Sequence, residues 1–390
     1  MNILCMTHAY PRFQGDIAGN FIARLNEALA ADGHHIRVVA PADRGEIVNG
    51  FHKTGDIDLS YFRYAPRRFE TLAYSGTMAE QAKNPIMALA LANLIRRQSH
   101  FASREKIDWQ TDLIHAHWWI PGGLAAWWGT MRNSVPYIVT LHGSDVRLLN
   151  QSRTGRLLAR KVFERAGRVV AVSAFLADLA SQMTGFERNR IVVQPMPVET
   201  FPEVTSKKGG NGIVVVGRLS PQKNLDLILE TVADLKEKGT GINVSFVGDG
   251  SERGNLERIA SSLGIGDKVV FHGNVPSKEM APVVSNADVA IFTAQDEGFG
   301  LAAAEMLMLG VPIIVCEGGG GLLEIIDDPM AGLIVSPNKE ELGEGVMQIV
   351  GDDEVRNAAV KAGERWRTKL AKQNVAQLYS ALYREVISAV

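Results

Sequence analysis

Two glutamates with seven residues between them, Glu297 and Glu305, close the densest cluster of chemistry-bearing residues in the sequence, Asp296-Glu-Gly-Phe-Gly-Leu-Ala-Ala-Ala-Glu305. The apolar run Val289–Thr293 before it reads as a strand. Gly298 and Gly300 let the chain turn sharply into a helix opening near Leu301. Glu297 is then expected in the loop at the strand end, and Glu305 a little over a turn into the helix. The N–H groups of a helix start face an anion, and carboxylates accept paired hydrogen bonds from hydroxyls. Two spaced carboxylates beside an anion site suit a sugar nucleotide. The ordinary alternative is a pair of capping or solvated glutamates.

A second cluster supplies cations. Val216-Gly217-Arg218-Leu-Ser-Pro-Gln-Lys223-Asn224 follows another strand candidate, Ile213–Val216, and Pro221 stiffens the loop. Fixed cations there would stabilise the charge that grows on a departing diphosphate, Arg as a bidentate fork and Lys as a point charge. A surface Arg–Lys pair is the bland alternative. In the first half, His142-Gly-Ser-Asp145 ends the strand candidate Tyr137–Leu141, with Gly143 letting backbone approach a ligand. Asp145 also suits the N-cap of the helix that follows. The loop Tyr10–Asn20, with Gly19, delivers backbone N–H groups and a helix start toward phosphate.

Other patterns carry less. Gly248-Asp-Gly250-Ser-Glu-Arg-Gly254 is one residue too long for a dinucleotide fingerprint and reads as a tight turn, whose glycines could still let backbone approach a nucleotide. His115-Ala-His117 shares a strand face, but no nearby Cys or acidic ligand completes a zinc site, so no metal is expected. Its companions Trp118-Trp119 read as apolar packing or an acceptor-side wall. Two basic, aromatic-containing stretches, 62–69 and 153–163, fit either a solvated basic face or docking at a membrane surface. In the second, Leu157, Leu158, Val162 and Phe163 are expected to face inward.

These residues need strand ends to hold them. Short β-rich runs alternate with helical periods, the pattern of parallel α/β sheets. Strands are expected at 2–6, 36–40, 113–117, 137–141, 169–172 and 191–193, then at 213–216, 244–247, 269–271, 289–293, 313–316 and 333–335. Helices are expected at 17–32, 224–238, 251–263, 277–286, 301–309 and through 353–390, with Trp366, Leu378, Leu382 and Tyr383 as apolar anchors. The Pro-, Ser-, Lys- and Gly-rich stretch 199–212 reads as a linker. Two doubly wound domains result, 1–202 and 203–372, and two such sheets facing each other would make an interdomain cleft.

The composition excludes other classes. A chain of 390 residues, 46% apolar and with a net charge of −2, is neither disordered nor broadly basic, so nucleic acid is not an expected partner. Both cysteines, Cys5 and Cys316, lie in apolar runs, as buried free thiols in a reducing compartment would. The longest apolar stretch, Pro85 to Ile95, is shorter than the ~20 residues a spanning helix needs. A cytoplasmic protein is expected, with peripheral membrane contact as an option.

Taken together, Glu297-Gly-Phe-Gly-x-x-x-x-Glu305, Val216-Gly-Arg218-Leu-x-Pro-x-Lys223-Asn224, Phe246-Val-Gly-Asp-Gly250, Leu309–Pro312 and Leu141-His-Gly-Ser-Asp-Val146 resemble, in the same order, the motifs of the retaining glycosyltransferases of family four, group 1, with the GT-B fold. The resemblance spans nearly the whole chain. It implies a nucleotide-diphosphate sugar donor, UDP- or GDP-linked, and a sugar or lipid-linked acceptor, with no cofactor or metal. It implies that Glu297 grips sugar hydroxyls, Glu305 the ribose hydroxyls, Arg218 and Lys223 the diphosphate, and that His142 contacts the donor sugar. Gly19, Gly217, Gly248, Gly250, Gly298, Phe299, Gly300 and Leu301 would complete the donor site. Gly19 follows Ala18 where the family has a double glycine, and Gly318-Gly-Gly-Gly321 with Glu324 resembles the family's Gly-Gly…Glu loop. The last helix, about 373–390, would cross back to the first, acceptor-side domain. A GT-B-type nucleotide-sugar epimerase and a non-catalytic sugar-nucleotide-binding module are the alternatives.

Overall fold

Ile3, Leu4, Cys5 and Met6 are closed to solvent in the computed structural model, and this explains the strand they form, β1 (Asn2–Met6). A parallel strand covered on both faces must be apolar throughout rather than at alternate positions. The structure describes residues 1–13, 15–45, 50–74, 76–199, 201 and 210–389. They divide into two units, Met1–Pro197 with Lys372–Val390, and Val198–Ala371.

The first unit adds β2 (His35–Pro41), β3 (His52–Thr54), β4 (Ile57–Phe62), β5 (Leu113–His117), β6 (Tyr137–Leu141), β7 (Arg168–Ala171) and β8 (Ile191–Val193). Their order across the sheet is β3-β4-β2-β1-β5-β6-β7-β8, and every neighbouring pair is parallel except β3–β4. The chain therefore starts in the middle of the sheet and reverses direction between β1 and β5. The sequence patterns did not predict β3, β4 or the long helix Pro85–Trp109. That helix opens on Asn84, whose side chain accepts from the Ile86 N–H, with Pro85 at the first helical position.

The second unit holds β9 (Ile213–Val216), β10 (Val244–Val247), β11 (Val269–Gly273), β12 (Val289–Phe292), β13 (Ile313–Cys316) and β14 (Gly332–Val335). All neighbours are parallel, in the order β11-β10-β9-β12-β13-β14. The reversal here falls between β9 and β12, and crevices at such reversals, beyond the carboxyl ends of the strands, are where open α/β sheets bind ligands. Each unit is thus a Rossmann-like domain of the kind paired in GT-B enzymes. Both cysteines are free and buried, and burial pushes the Cys5 thiol up to about 12 and Cys316 to about 11.

Several expectations are corrected. The first helix starts at Asn20, not Ile17, because Gly19 is left-handed. The C-terminal stretch is two helices, Asp353–Lys369 in the second unit and Lys372–Ser388 in the first. The second of these buries Val375, Tyr379, Leu382, Tyr383 and Val386, while Leu378 is 51% exposed and anchors nothing. Leu157 also faces solvent, at 65% exposure. Most of the stretch read as a linker, residues 200 and 202–209, lies outside the described residues. Among the described residues no helix is long and apolar enough to cross a membrane.

Helix Leu301–Met308, which carries Glu305, is held by close packing on Asp353–Lys369. A Cβ on Gly363 would stand 2.0 Å from the Leu307 carbonyl oxygen. Replacing glycine by alanine in a helix normally gains about 1 kcal/mol, but a clash with backbone costs about 1–3 kcal/mol or more. Gly363→Ala is therefore expected to lower stability, read as a reduced urea midpoint; an unchanged or raised midpoint would show that the two helices are not in this contact.

Candidate active site

In the second unit, the loop after β9 and the loop after β12 leave the sheet side by side at its reversal. Pro221–Lys223 forms one turn of 3-10 helix, and Asn224 ends it in a left-handed conformation. Thr293 locks that turn to β12, its hydroxyl lying 2.7 Å from the carbonyl of Lys223 and 3.0 Å from that of Asn224. The Lys223 Nζ meets the Glu297 Oε2 at 2.6 Å. Sequence reading assigned Lys223 and Glu297 to separate tasks, and the structure brings them into one contact. Thr293 had been read only as a strand residue.

The Arg218 side chain is exposed and makes no ion pair or side-chain hydrogen bond among the described residues. Gly217, with φ near 142°, has open space where a Cβ would stand, so backbone approach by a ligand is open here. A shallow hollow lined by Val216, Gly217, Arg218, Lys223, Thr293 and Ala294 lies between the two loops.

Three expected donor-contacting glycines have a nearer reason to be glycine. A Cβ on Gly248 would lie 2.0 Å from the Gly217 oxygen, and one on Gly250 2.1 Å from the Leu219 oxygen. Their N–H groups are already used, by the Gly273 carbonyl and the Asp249 carboxylate. These two residues bring the β10 loop against the β9 loop. Gly19, likewise, would place a Cβ 2.2 Å from the Ala9 oxygen. Phe299 is 8% exposed and packs edge-on against Trp366.

The Glu297 loop is shaped by backbone. The N–H groups of Asp296 and Glu297 donate to the Gly318 and Gly319 carbonyls, and the Gly321 N–H donates to the Glu297 carbonyl. A Cβ on Gly321 would lie 2.4 Å from the Gly298 oxygen, so the glycine run is needed for this strand-like approach. Gly298 is buried, Gly300 is left-handed at φ 93°, and Leu301 starts the helix partly exposed. Glu305, one turn further in, is only 9% exposed.

In the first unit, the loops after β1, β5 and β6 meet at the other reversal. The His142 Nε2 lies 3.0 Å from the His117 Nδ1, and its ring centroid is 4.6 Å from Trp118 and 5.1 Å from Phe21. The His8 ring lies tilted against the same Trp118, with centroids 4.0 Å apart. Sequence reading missed His8, His117 and Trp118 as neighbours of His142. The available signal was that all three, like His142, sit at or just beyond a strand's carboxyl end. Burial lowers the pKa of His117 and His142 well below the ordinary value, and that of His8 to about 4.

Asp145 does not cap the following helix, which has already begun at Ser144. Its buried carboxylate instead accepts from the N–H groups of His142, Gly143 and Trp119, tying the β5 and β6 loops together. Burial raises its pKa against the lowering effect of those donors. His115 is a satisfied core residue, with its Nδ1 2.7 Å from the Tyr383 hydroxyl and its Nε2 2.8 Å from Thr140. Among the described residues no three His, Cys, Asp or Glu side chains converge as metal ligands.

Two family descriptions match the chain. "Glycosyl transferases group 1" covers residues 198–366, and "Glycosyl transferase 4-like domain" covers 18–197. The chain is 25% identical over 277 residues to an uncharacterized glycosyltransferase of Methanocaldococcus jannaschii, covering 70% of this chain and 76% of that protein. A sucrose-phosphate synthase from Thermosynechococcus elongatus has the same fold, with a TM-score of 0.79 at 19% identity over the whole of both chains. The HepE protein of Anabaena, solved in complex with UDP, has a TM-score of 0.71 at 17% identity, again over both whole chains.

Proposed function

Because this chain is a glycosyltransferase that joins a group 1 domain to a 4-like domain, we propose that it moves a sugar from a UDP- or GDP-linked donor to a sugar or lipid-linked acceptor with retention of the anomeric configuration. Such a reaction belongs to the synthesis of a polysaccharide, glycolipid or other glycoconjugate. The observation that carries this reading is the 2.6 Å contact of Lys223 with Glu297 beside an exposed Arg218. It gathers two cations and a hydroxyl-binding carboxylate at the sheet reversal of the second unit. The UDP bound to the Anabaena relative is consistent with it.

The roles follow from charge. As the bond from the anomeric carbon to the diphosphate oxygen breaks, Arg218 and Lys223 stabilise the negative charge left on the diphosphate. Glu297 accepts hydrogen bonds from the sugar hydroxyls, and Glu305 from the ribose hydroxyls. His142 orients on the donor sugar. The acceptor hydroxyl attacks on the face the diphosphate is leaving and passes its proton to a departing phosphate oxygen.

A screen of UDP- and GDP-sugars with cell-extract acceptors, read by mass spectrometry and by anomeric NMR of the product, tests this. The expected result is a retained anomer and one nucleoside diphosphate per transfer, undiminished by EDTA. An inverted product, epimerised donor without transfer, or activity restored only by manganese would overturn the corresponding part of the reading.

A further inference from the structure

The His142 ring meets the donor sugar, on the reading above, with one nitrogen only. Its Nε2 is turned inward to the His117 Nδ1 at 3.0 Å, which leaves Nδ1 for a ligand. His117 itself is fully buried on β5, packed between the rings of His115, tilted at 4.1 Å, and His142, stacked at 5.2 Å. Its Nε2 is buried and has no hydrogen-bond partner among the described residues. His117 is therefore a polar side chain in the core whose one hydrogen bond goes to the ring at the sheet's carboxyl edge.

Between two neutral imidazoles at this distance there is room for a single proton, and its position decides what His142 can do. If His142 donates from Nε2, its Nδ1 is a bare acceptor and His117 must carry its own proton on the orphaned Nε2. If His117 donates from Nδ1, its orphaned Nε2 is a bare lone pair and His142 carries its proton on Nδ1. Orphaned buried N–H groups are rarer than under-satisfied acceptors, which favours the second arrangement. Burial keeps both rings neutral, and the other titratable groups around them are His8, His115, Tyr379 and Tyr383. The Asp145 carboxylate accepts from the backbone N–H groups of His142 and Gly143 in the same loop.

We infer that His117 is a positioning residue that holds His142 in its Nδ1–H tautomer, so that His142 presents a hydrogen-bond donor to the sugar. Free histidine favours the other tautomer, so the fold must impose this one. The inference rests on the proposed function only for what His142 touches; the tautomer itself does not depend on it.

Long-range proton–nitrogen NMR of the full chain with labelled histidine, His142 being assigned from the His142→Gln spectrum, reads the tautomer directly near pH 7. A protonated Nδ1 with a bare Nε2 is expected on His142 of the unsubstituted protein; a protonated Nε2 there overturns the inference without any variant having to fold. His117→Asn, whose amide can still donate near the Nδ1 position, should keep that tautomer and keep turnover. His117→Asp, whose carboxylate only accepts, should reverse the tautomer and lower kcat about tenfold, the worth of one neutral hydrogen bond, with donor KM nearly unchanged. A reversed tautomer with unchanged kcat would remove the positioning role. If the unsubstituted protein transfers no sugar at all, the proposed function fails while the spectrum still decides the tautomer.

Discussion

Lys223→Ala is expected to lower kcat by about 10²–10³-fold, the usual loss when one preorganised charge is removed from a developing anion, while thermal stability barely changes. The two effects separate because the Lys223–Glu297 pair is partly solvated, with side chains 28% and 23% exposed. A pair of that exposure contributes at most about 1 kcal/mol to folding. The same ammonium acting on a diphosphate acts on charge that grows only as the glycosidic bond breaks. Arg218→Ala should behave alike, and with less structural effect still, since Arg218 has no partner among the described residues to strand.

The exchanged pair, Lys223→Glu with Glu297→Lys, separates the two readings more sharply. It can remake the ion pair and so should restore whatever stability either single change loses. It moves the cation from the 3-10 turn to the β12 loop and places a carboxylate where the diphosphate is expected, so turnover should stay at least as low as in Lys223→Ala. Steady-state kinetics and a thermal melt on the unsubstituted protein, Lys223→Ala, the two single exchanges and the exchanged pair measure both. Recovery of kcat in the exchanged pair, or an unchanged kcat in Lys223→Ala, would reduce this contact to a brace between loops.

The strands that hold these residues were readable in the sequence for a physical reason. A strand covered on both faces, such as Ile313–Cys316, is apolar at every position and stands out as a run. β4 escaped because Asp58 and Ser60 interrupt it, and β3 because His-Lys-Thr at a sheet edge has no apolar signal at all. The motif residues were also readable, but their partners were not. Lys223 and Glu297 are 74 positions apart and meet only because β9 lies beside β12. His117 and His142 meet because His117 stands opposite Thr140 on the next strand. Strand order carries that information, and periodicity does not. Glycines carry a constraint that periodicity does not show: the atoms that exclude a Cβ at Gly19, Gly248 and Gly250 belong to the chain itself.

Lowering the pH from about 6.5 to 4 is expected to destabilise the first unit far more than the second. Burial lowers the pKa of His8 to about 4 and of His115 to about 3, from an ordinary 6.5, and it also lowers His34, His117 and His142. All five lie in the first unit; the second has one histidine, the exposed His272. A histidine kept neutral in the fold takes a proton when the chain unfolds. Across that window the unfolded state binds more protons, so stability is complete above pH 6.5 and falls as the pH drops toward the folded values. For His8 and His115 the loss is on the order of 3 kcal/mol each by the linkage of pKa to free energy, although coupling among the stacked rings makes the sum less than additive. Asp145 works the other way: its raised pKa lets the fold take up a proton before the unfolded chain does. One carboxyl, however, offsets only a part of what several imidazoles lose. Asp16, held below the ordinary carboxyl value by Arg12, adds its own loss only near and below pH 3.8. Native-state hydrogen exchange, converted to opening free energies so that intrinsic rates cancel, reads the two units in one experiment. Amides of β1, β5 and β6 should lose several kcal/mol of protection between pH 6.5 and 4, against about 1 kcal/mol or less in β9 and β12, whose unit contains no buried histidine. Equal losses in both units, or none in β5 and β6, would mean that the row of rings at His115, His117 and His142 is open to protons in the native state and is not the neutral core described here.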